Sequence, residues 1–407
     1  MGRFIVIVLD GFGIGYMDDV SAVRPSDLGA NTFLSIVKSN PNIKLPTLEK
    51  LGLMNIAGFE TENMRKIQDA TYGMANLTHF WADTFWGHQE IMGTRPKMPV
   101  GEPMKKSFNI IKQALELNGY KIREFHGEKE RILIVNEALT VGDNIECDPG
   151  LAINITAAID DIAFDEVKRV GEIVRGVVEV ARVIAFGGSG VHLEDILAAL
   201  EEKENGYIGI NAPASGVYRE NYHCVHLGFG VDNTTQIPFI LHDSNIKSYL
   251  LGKAADIIFN PIHKNSFSIV PTNEVFDKTL EIMNKEPLAF ICANVQETDL
   301  AGHRQDAELY CNILEIADRR LEDIIENMND EDILIVMADH GNDPLIGHPQ
   351  HTREKVPLMI CGKKIRPHNI GLRATLSDVA ATAAQYFKIP MPENGTGFLN
   401  DIYDENI

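Results

Sequence analysis

Apolar side chains run unbroken through Phe4-Ile5-Val6-Ile7-Val8-Leu9, and the β-branched majority of that run predicts a strand covered on both faces. Asp10-Gly11-Phe12-Gly13-Ile14-Gly15 ends it, so the first strand hands over to an acidic residue in a turn. Continuous apolar runs of the same kind predict strands at 132–135, 183–186, 207–210, 249–251, 288–293, 333–337 and 358–360. Between several of them the apolar spacing becomes helical, at 107–117, 165–178, 193–202, 273–284, 307–328 and 375–387. The alternation predicts an α/β fold with a mostly parallel sheet sandwiched by helices.

Loops rich in Asp, His and Gly concentrate before about residue 99 and after about residue 237, and the stretch between has strands and helices of its own. This predicts a core formed by 1–98 and 234–407, with an inserted α/β cap domain at 99–233. Pro96, Pro99 and Pro103 mark one edge of the insertion, and the polar run from Asp232 to Pro238 marks the other.

Composition narrows the function. The 407 residues are 44% hydrophobic and 23% charged, as in water-soluble globular proteins. Lys and Arg number 37 against 58 Asp and Glu, a net charge of −21 that repels nucleic acids and anionic membrane faces. An anionic substrate then needs a local positive device, and bound metal ions are one. The five cysteines are widely spaced with no C-x-x-C, which fits a reducing cytoplasm better than a disulfide framework or a thiolate zinc site. Asp10 cuts the first apolar run far short of a signal peptide or membrane span. No protein partner is evident from the sequence.

Four segments carry metal-binding side chains. Met337-Ala338-Asp339-His340-Gly341-Asn342-Asp343-Pro344 places an Asp and a His together at a strand's end. Asp299 and His303 are one helical turn apart in Glu297-Thr298-Asp299-Leu300-Ala301-Gly302-His303. His348 and His351 share a Pro-bearing loop, and Asp10 closes the first strand. Each segment also has an ordinary reading, as helix cap, turn residue or solvated histidine. The Gly11, Gly13 and Gly15 spacing is G-x-G-x-G and lacks the order of a dinucleotide fingerprint. Taken together, Asp10, Asp299, Asp339, His303, His340 and His351 suit two divalent ions, whose +4 against three carboxylates leaves a positive pocket for a phosphate. Thr84, which is also an ordinary helix-cap residue, offers a hydroxyl that a divalent ion would activate as nucleophile.

Asp-Thr-x-x-Gly-His-x-Glu-Ile-Met-Gly at 83–93, Ala-Asp-His-Gly-Asn-Asp-Pro at 338–344 and His-Thr-Arg-Glu-x-Val-Pro at 351–357, in that order, resemble the bacterial phosphopentomutases of the alkaline phosphatase superfamily. The chain looks most like a mutase-like branch of that group. The resemblance implies an alkaline-phosphatase-like core and a cytoplasmic isomerase of nucleoside catabolism. Its implied reaction interconverts pentose 1- and 5-phosphates through phosphorylated Thr84 and a sugar bisphosphate, which also serves as primer. It further implies manganese at two sites, one of Asp299, His303 and His351 and one of Asp10, Asp339 and His340. Asp148 looks like the sugar-hydroxyl partner, and Lys253 like a lysine near the distal phosphate.

The chain departs from the pattern in three places. After Val183-Ile184-Ala185 the family has Arg-Pro, whose arginine is implied to grip the distal phosphate, and here the sequence is Phe186-Gly187-Gly188. The family's Asn-Arg-His-Asp segment is missing, with Asn221-Tyr222-His223 nearby. The Asp299–His303 spacing is one residue shorter than in phosphopentomutases and equal to that of cofactor-independent phosphoglycerate mutases. Either Arg95 or Arg219 replaces the missing guanidinium, or the enzyme is a mutase or phosphatase acting on another phosphorylated small molecule.

Overall fold

Phe4–Leu9 is a strand with all six side chains out of solvent, set inside an eight-stranded sheet. The computed structural model describes residues 1–146 and 150–404. Across the sheet the strands follow the order Ser266–Phe267, Ser248–Leu251, Phe290–Val295, Phe4–Leu9, Ile333–Met337, Val356–Cys361, Thr71–Ala75 and His368–Arg373. Val356–Cys361 runs antiparallel to both its neighbours, and the other pairings are parallel. The central run therefore has no solvent-facing side, as its unbroken apolar sequence requires.

Helix Ala307–Glu326 shows how the flanking layers are built: Tyr310, Ile313, Leu314, Ala317, Leu321 and Ile324 form its buried stripe at helical spacing. Phe290–Val295, Phe4–Leu9 and Ile333–Met337 are adjacent and parallel, so their carboxyl ends lie on one edge. Asp10, the helix Glu297–His303 and the Asp339–His340 pair all follow from that edge, the usual place for a site on a parallel sheet.

The chain divides into two compact units, Met1–Pro96 with Asp232–Ile407, and Lys97–Val231. The second unit has its own six-stranded sheet, ordered Glu220–Gly228, Arg182–Ser189, Ala152–Ala158, Leu139–Asp143, Arg131–Val135 and Ile122–His126. Helices Phe108–Leu117 and Phe164–Arg175 bury Phe108, Ile111, Leu115, Val167, Val170 and Val174 in that unit's core.

The helix expected at 193–202 ends at Ala198, and Leu200–Lys203 is instead a strand paired with Tyr207–Ile210. Asn205 and Gly206, both at positive φ, turn the chain between them, and the cross-strand pairing overrides the helical spacing. Among the described residues no helix is long and apolar enough to cross a membrane. Among the described residues, Cys224, Cys292, Cys311 and Cys361 form no disulfide.

Candidate metal centre

Two groups of three side chains gather at the carboxyl edge of the central strands: Asp10 with Asp339 and His340, and Asp299 with His303 and His351. Within each group the ligand atoms lie within 4.8 Å of one another. In the first, His340 Nε2 is 3.5 Å from Asp10 Oδ1 and 3.3 Å from Asp339 Oδ2. In the second, His303 Nε2 is 3.2 Å from Asp299 Oδ2 and His351 Nε2 is 3.3 Å from Asp299 Oδ1. The two groups abut, since the His340 and His351 rings stack with centroids 3.9 Å apart.

Local chain geometry brings these residues in. Asp299 and His303 share one face of a single helix, so their contact is an i, i+4 pair. Gly11 has φ +73, which turns the chain directly after Asp10 and aims its N–H at Asp339 Oδ1, 3.2 Å away. Asp83 caps the helix Thr84–Ile91 by accepting from Trp86 N, which leaves Thr84 as the first helical residue with its hydroxyl free for the site. Thr84 Oγ1 donates to Asp339 Oδ2 at 2.7 Å and lies 3.4 Å from Asp10 Oδ1. A Cβ on Gly87 would fall 2.7 Å from the Asp339 carbonyl oxygen, so only glycine lets this helix approach so closely.

The charges need a cation. Burial raises the Asp10 carboxyl well above its ordinary value, and the charges of Asp339 and Asp299 push the same way. Burial also opposes ionisation of Asp339, yet His340, His88 and the Thr84 hydroxyl together hold it low. His340 is pushed down to about 4, chiefly by burial, so its imidazole is neutral and ligand-ready at pH 7. Its Nε2 is buried without a hydrogen-bond partner. Three converging carboxylates and three imidazoles, one of them with an orphaned ring nitrogen, are a donor set that fits two divalent ions. The half-buried Lys253 adds positive charge felt at Asp10 and His303.

The other expected substrate residues fall on both units or outside the described residues. Arg95 is exposed and engaged with Glu393, its N–H on the Glu393 carboxylate and its guanidinium on the Glu393 carbonyl. Arg219 is exposed on the second unit, and Asp148 lies outside the described residues. His348 faces Asp27 at 3.3 Å instead of either triad.

Three polar side chains around the centre had not been assigned from sequence. Asn342 donates to Asp299 Oδ1 at 2.7 Å, while His88 and Asn294 back Asp339 and Asp10. Asn294 carries a signal, being a polar residue in an otherwise apolar strand, but it lies one position beyond the apolar run that ends at residue 293.

The profile of the metalloenzyme superfamily matches residues 2–391. The chain is similar to the phosphopentomutase of Acetivibrio thermocellus, 30% identical over 417 residues that cover 99% of this chain and 100% of that protein. It is 28% identical to the phosphopentomutase of Alkaliphilus oremlandii, with 99% of each covered. In fold it is similar to phosphoglycerate mutase of Leishmania mexicana at low cobalt concentration, with a TM-score of 0.51, 14% identity, and 99% and 98% of the two chains covered.

Proposed function

The chain belongs to the metalloenzyme superfamily as a phosphopentomutase-like member, and from that premise we propose that it exchanges the 1- and 5-phosphates of ribose or deoxyribose through Thr84. The observation that carries this reading is the Thr84 hydroxyl held at 2.7 Å by Asp339 and 3.4 Å from Asp10, both of the first triad. Divalent ions at the triads, which we take to be manganese, would supply Lewis-acid charge that eases ionisation of the hydroxyl and offsets phosphoryl charge.

The chain's own residues do the rest. Phosphorylated Thr84 donates to a free sugar hydroxyl: the P–O bond to Thr84 Oγ1 breaks as the P–O bond to the sugar forms. The hydroxyl proton ends on Oγ1, where Asp339 accepts it as a hydrogen bond. The resulting bisphosphate returns its other phosphoryl group to Thr84 by the reverse step, so a sugar bisphosphate also primes the enzyme. Lys253 offsets substrate charge in a chain of net charge −21. By the family resemblance, residues 99–233 are the cap domain of this reading, and Asp148, Arg95 and Arg219 its candidate substrate residues.

One observation favours the second reading, a mutase or phosphatase acting on a different phosphorylated small molecule. Phe186 stands where the family motif has arginine, and its ring lies 6.1 Å from Tyr218 and 6.2 Å from Tyr222. Aromatic faces do not replace a guanidinium on a phosphate.

The deciding assay supplies manganese, ribose 5-phosphate or ribose 1-phosphate, and a sugar bisphosphate, and follows both isomers and free phosphate. Interconversion without phosphate release supports the mutase, and stoichiometric release supports the phosphatase. Thr84→Ala should lower turnover by about 10,000-fold while leaving metal content near normal. Wild-type turnover in that variant would remove Thr84 from the mechanism.

A further inference from the structure

His88 lies one helical turn beyond Thr84, and Asn294 is a polar amide at 0% exposure inside the strand Phe290–Val295, where burial without partners is costly. The two touch, His88 Nε2 lying 3.0 Å from Asn294 Nδ2. Asn294 Nδ2 also donates to Asp10 Oδ2 at 2.9 Å. On its other side His88 Nδ1 is 2.9 Å from the Thr84 carbonyl oxygen and 3.2 Å from Asp339 Oδ2.

With Asp10 ionised, as a metal ligand is, these contacts set the direction of each hydrogen bond. Turned the other way, the Asn294 amide would set Oδ1 against the Asp10 carboxylate, acceptor against acceptor, so Nδ2 must face it. Its second hydrogen then points at His88 Nε2, which receives it as a lone-pair acceptor. Nδ1, the atom facing Thr84 O and Asp339 Oδ2, is therefore the ring nitrogen that donates. Asn294 Oδ1 is left buried without a partner. A buried amide that leaves its acceptor unsatisfied is held for its donor side.

We propose that Asn294 and His88 form a hydrogen-bonded relay that sets the Thr84 helix in register with the buried triad. The relay rests on the proposed roles of that triad and Thr84. Both are positioning residues: they orient Asp10, Asp339 and the first turn of the helix without touching substrate. The relay reaches Asp10 and Asp339 and makes no contact with Asp299, His303 or His351, so its loss should weaken one metal site and spare the other.

The test titrates the full-length protein with manganese alone by calorimetry, with kcat and KM measured in parallel on whichever phosphorylated substrate the wild type turns over. The wild type should take up two ions. His88→Ala and Asn294→Ala should each weaken one site by about 10- to 100-fold and leave the other at wild-type affinity. Their kcat should fall by a similar factor with KM little changed, a split that general loosening of the fold would not produce. His88→Asn against His88→Gln decides the matter if the alanine variants fold poorly. Asparagine places an amide nitrogen near Nδ1 and glutamine near Nε2, so the relay requires asparagine to retain more kcat and more metal affinity. Equal retention by the two, or wild-type affinity and kcat in a folded His88→Ala, would overturn it. A wild type that takes up fewer than two ions would sink the metal reading itself, and the relay with it.

Discussion

Asp10, Asp339 and His340 are sealed from solvent, whereas in the neighbouring triad only Asp299 is buried, with His351 partly open and His303 exposed. The donors are similar in type, with two carboxylates and one imidazole against one and two. The difference comes from where the chain supplies them. The sealed triad hangs from the ends of two adjacent central strands, Phe4–Leu9 and Ile333–Met337, and is backed by His88 and Asn294. The open triad is assembled from one short helix and a loop, so its histidines meet solvent. One site is built to be held in place while the other is reachable, which suits a centre that must anchor a nucleophile and still admit a substrate.

The largest effect should come from the sealed side. Asp339→Ala removes a ligand and the acceptor of the Thr84 hydroxyl together, and turnover should drop about 1,000-fold with one manganese lost per chain. Excess manganese should not restore it. On the open side His303→Ala should cost only about 10- to 100-fold, and raised manganese should recover much of that, because Asp299 and His351 remain. Measuring both variants over a manganese series breaks the comparison if the two respond alike.

Metal release should show the same asymmetry more gently. On adding excess chelator to manganese-loaded enzyme, one ion should leave in a fast phase and the second in a phase slower by about tenfold or more, since the sealed triad must first open. In His303→Ala the fast phase should vanish and the slow one persist. A single phase for both ions would mean that the difference in burial has no kinetic weight.

The sequence showed the ligands of both triads better than the residues that hold them. Asp10 and Asp339 close long apolar runs, where a polar residue stands out, and Asp299 and His303 sit at one-turn spacing. What surrounds them was hidden, because Asn294 meets Asp10 across 284 positions and Asn342 meets Asp299 across 43. Contacts of that separation leave no local spacing to read. The central strands were legible for the same reason as the ligands, while Thr71–Ala75 and His368–Arg373 at one side of the sheet were not. Thr71–Ala75 carries Gly73 and only alternate buried positions, and His368–Arg373 has no fully buried side chain. Aromatic substitution at Phe186 was visible as a departure, but no run of residues announces its packing with Tyr218 and Tyr222 or the nearby register shift between Glu220 and His223.

An effect on stability alone, with turnover untouched, concerns Glu354, a brace between the loops of the two triads. Its carboxylate accepts from the Thr32 N–H and hydroxyl, Gly15 N and Thr352 Oγ1, and glycines at 13 and 341 let both loops close to within 2.4 Å of where a Cβ would meet it. Burial pushes its pKa up to about 7 despite those four donors. The folded protein thus keeps a proton that the unfolded chain gives up from about pH 4.5, so this group's contribution to stability declines as pH rises toward 7 and is level beyond. The decline is on the order of 2–3 kcal/mol. Glutamine has no such titration. Thermal melts of wild type and Glu354→Gln at one fixed manganese concentration should therefore show the wild type's lead at pH 5 shrinking by pH 8. Because metal uptake by both proteins shifts with pH in common, the difference between them isolates Glu354. A lead that stays constant or grows would mean that the four donors, not burial, set the charge of the brace, and that the two loops are pinned by an ionised carboxylate at every pH tested.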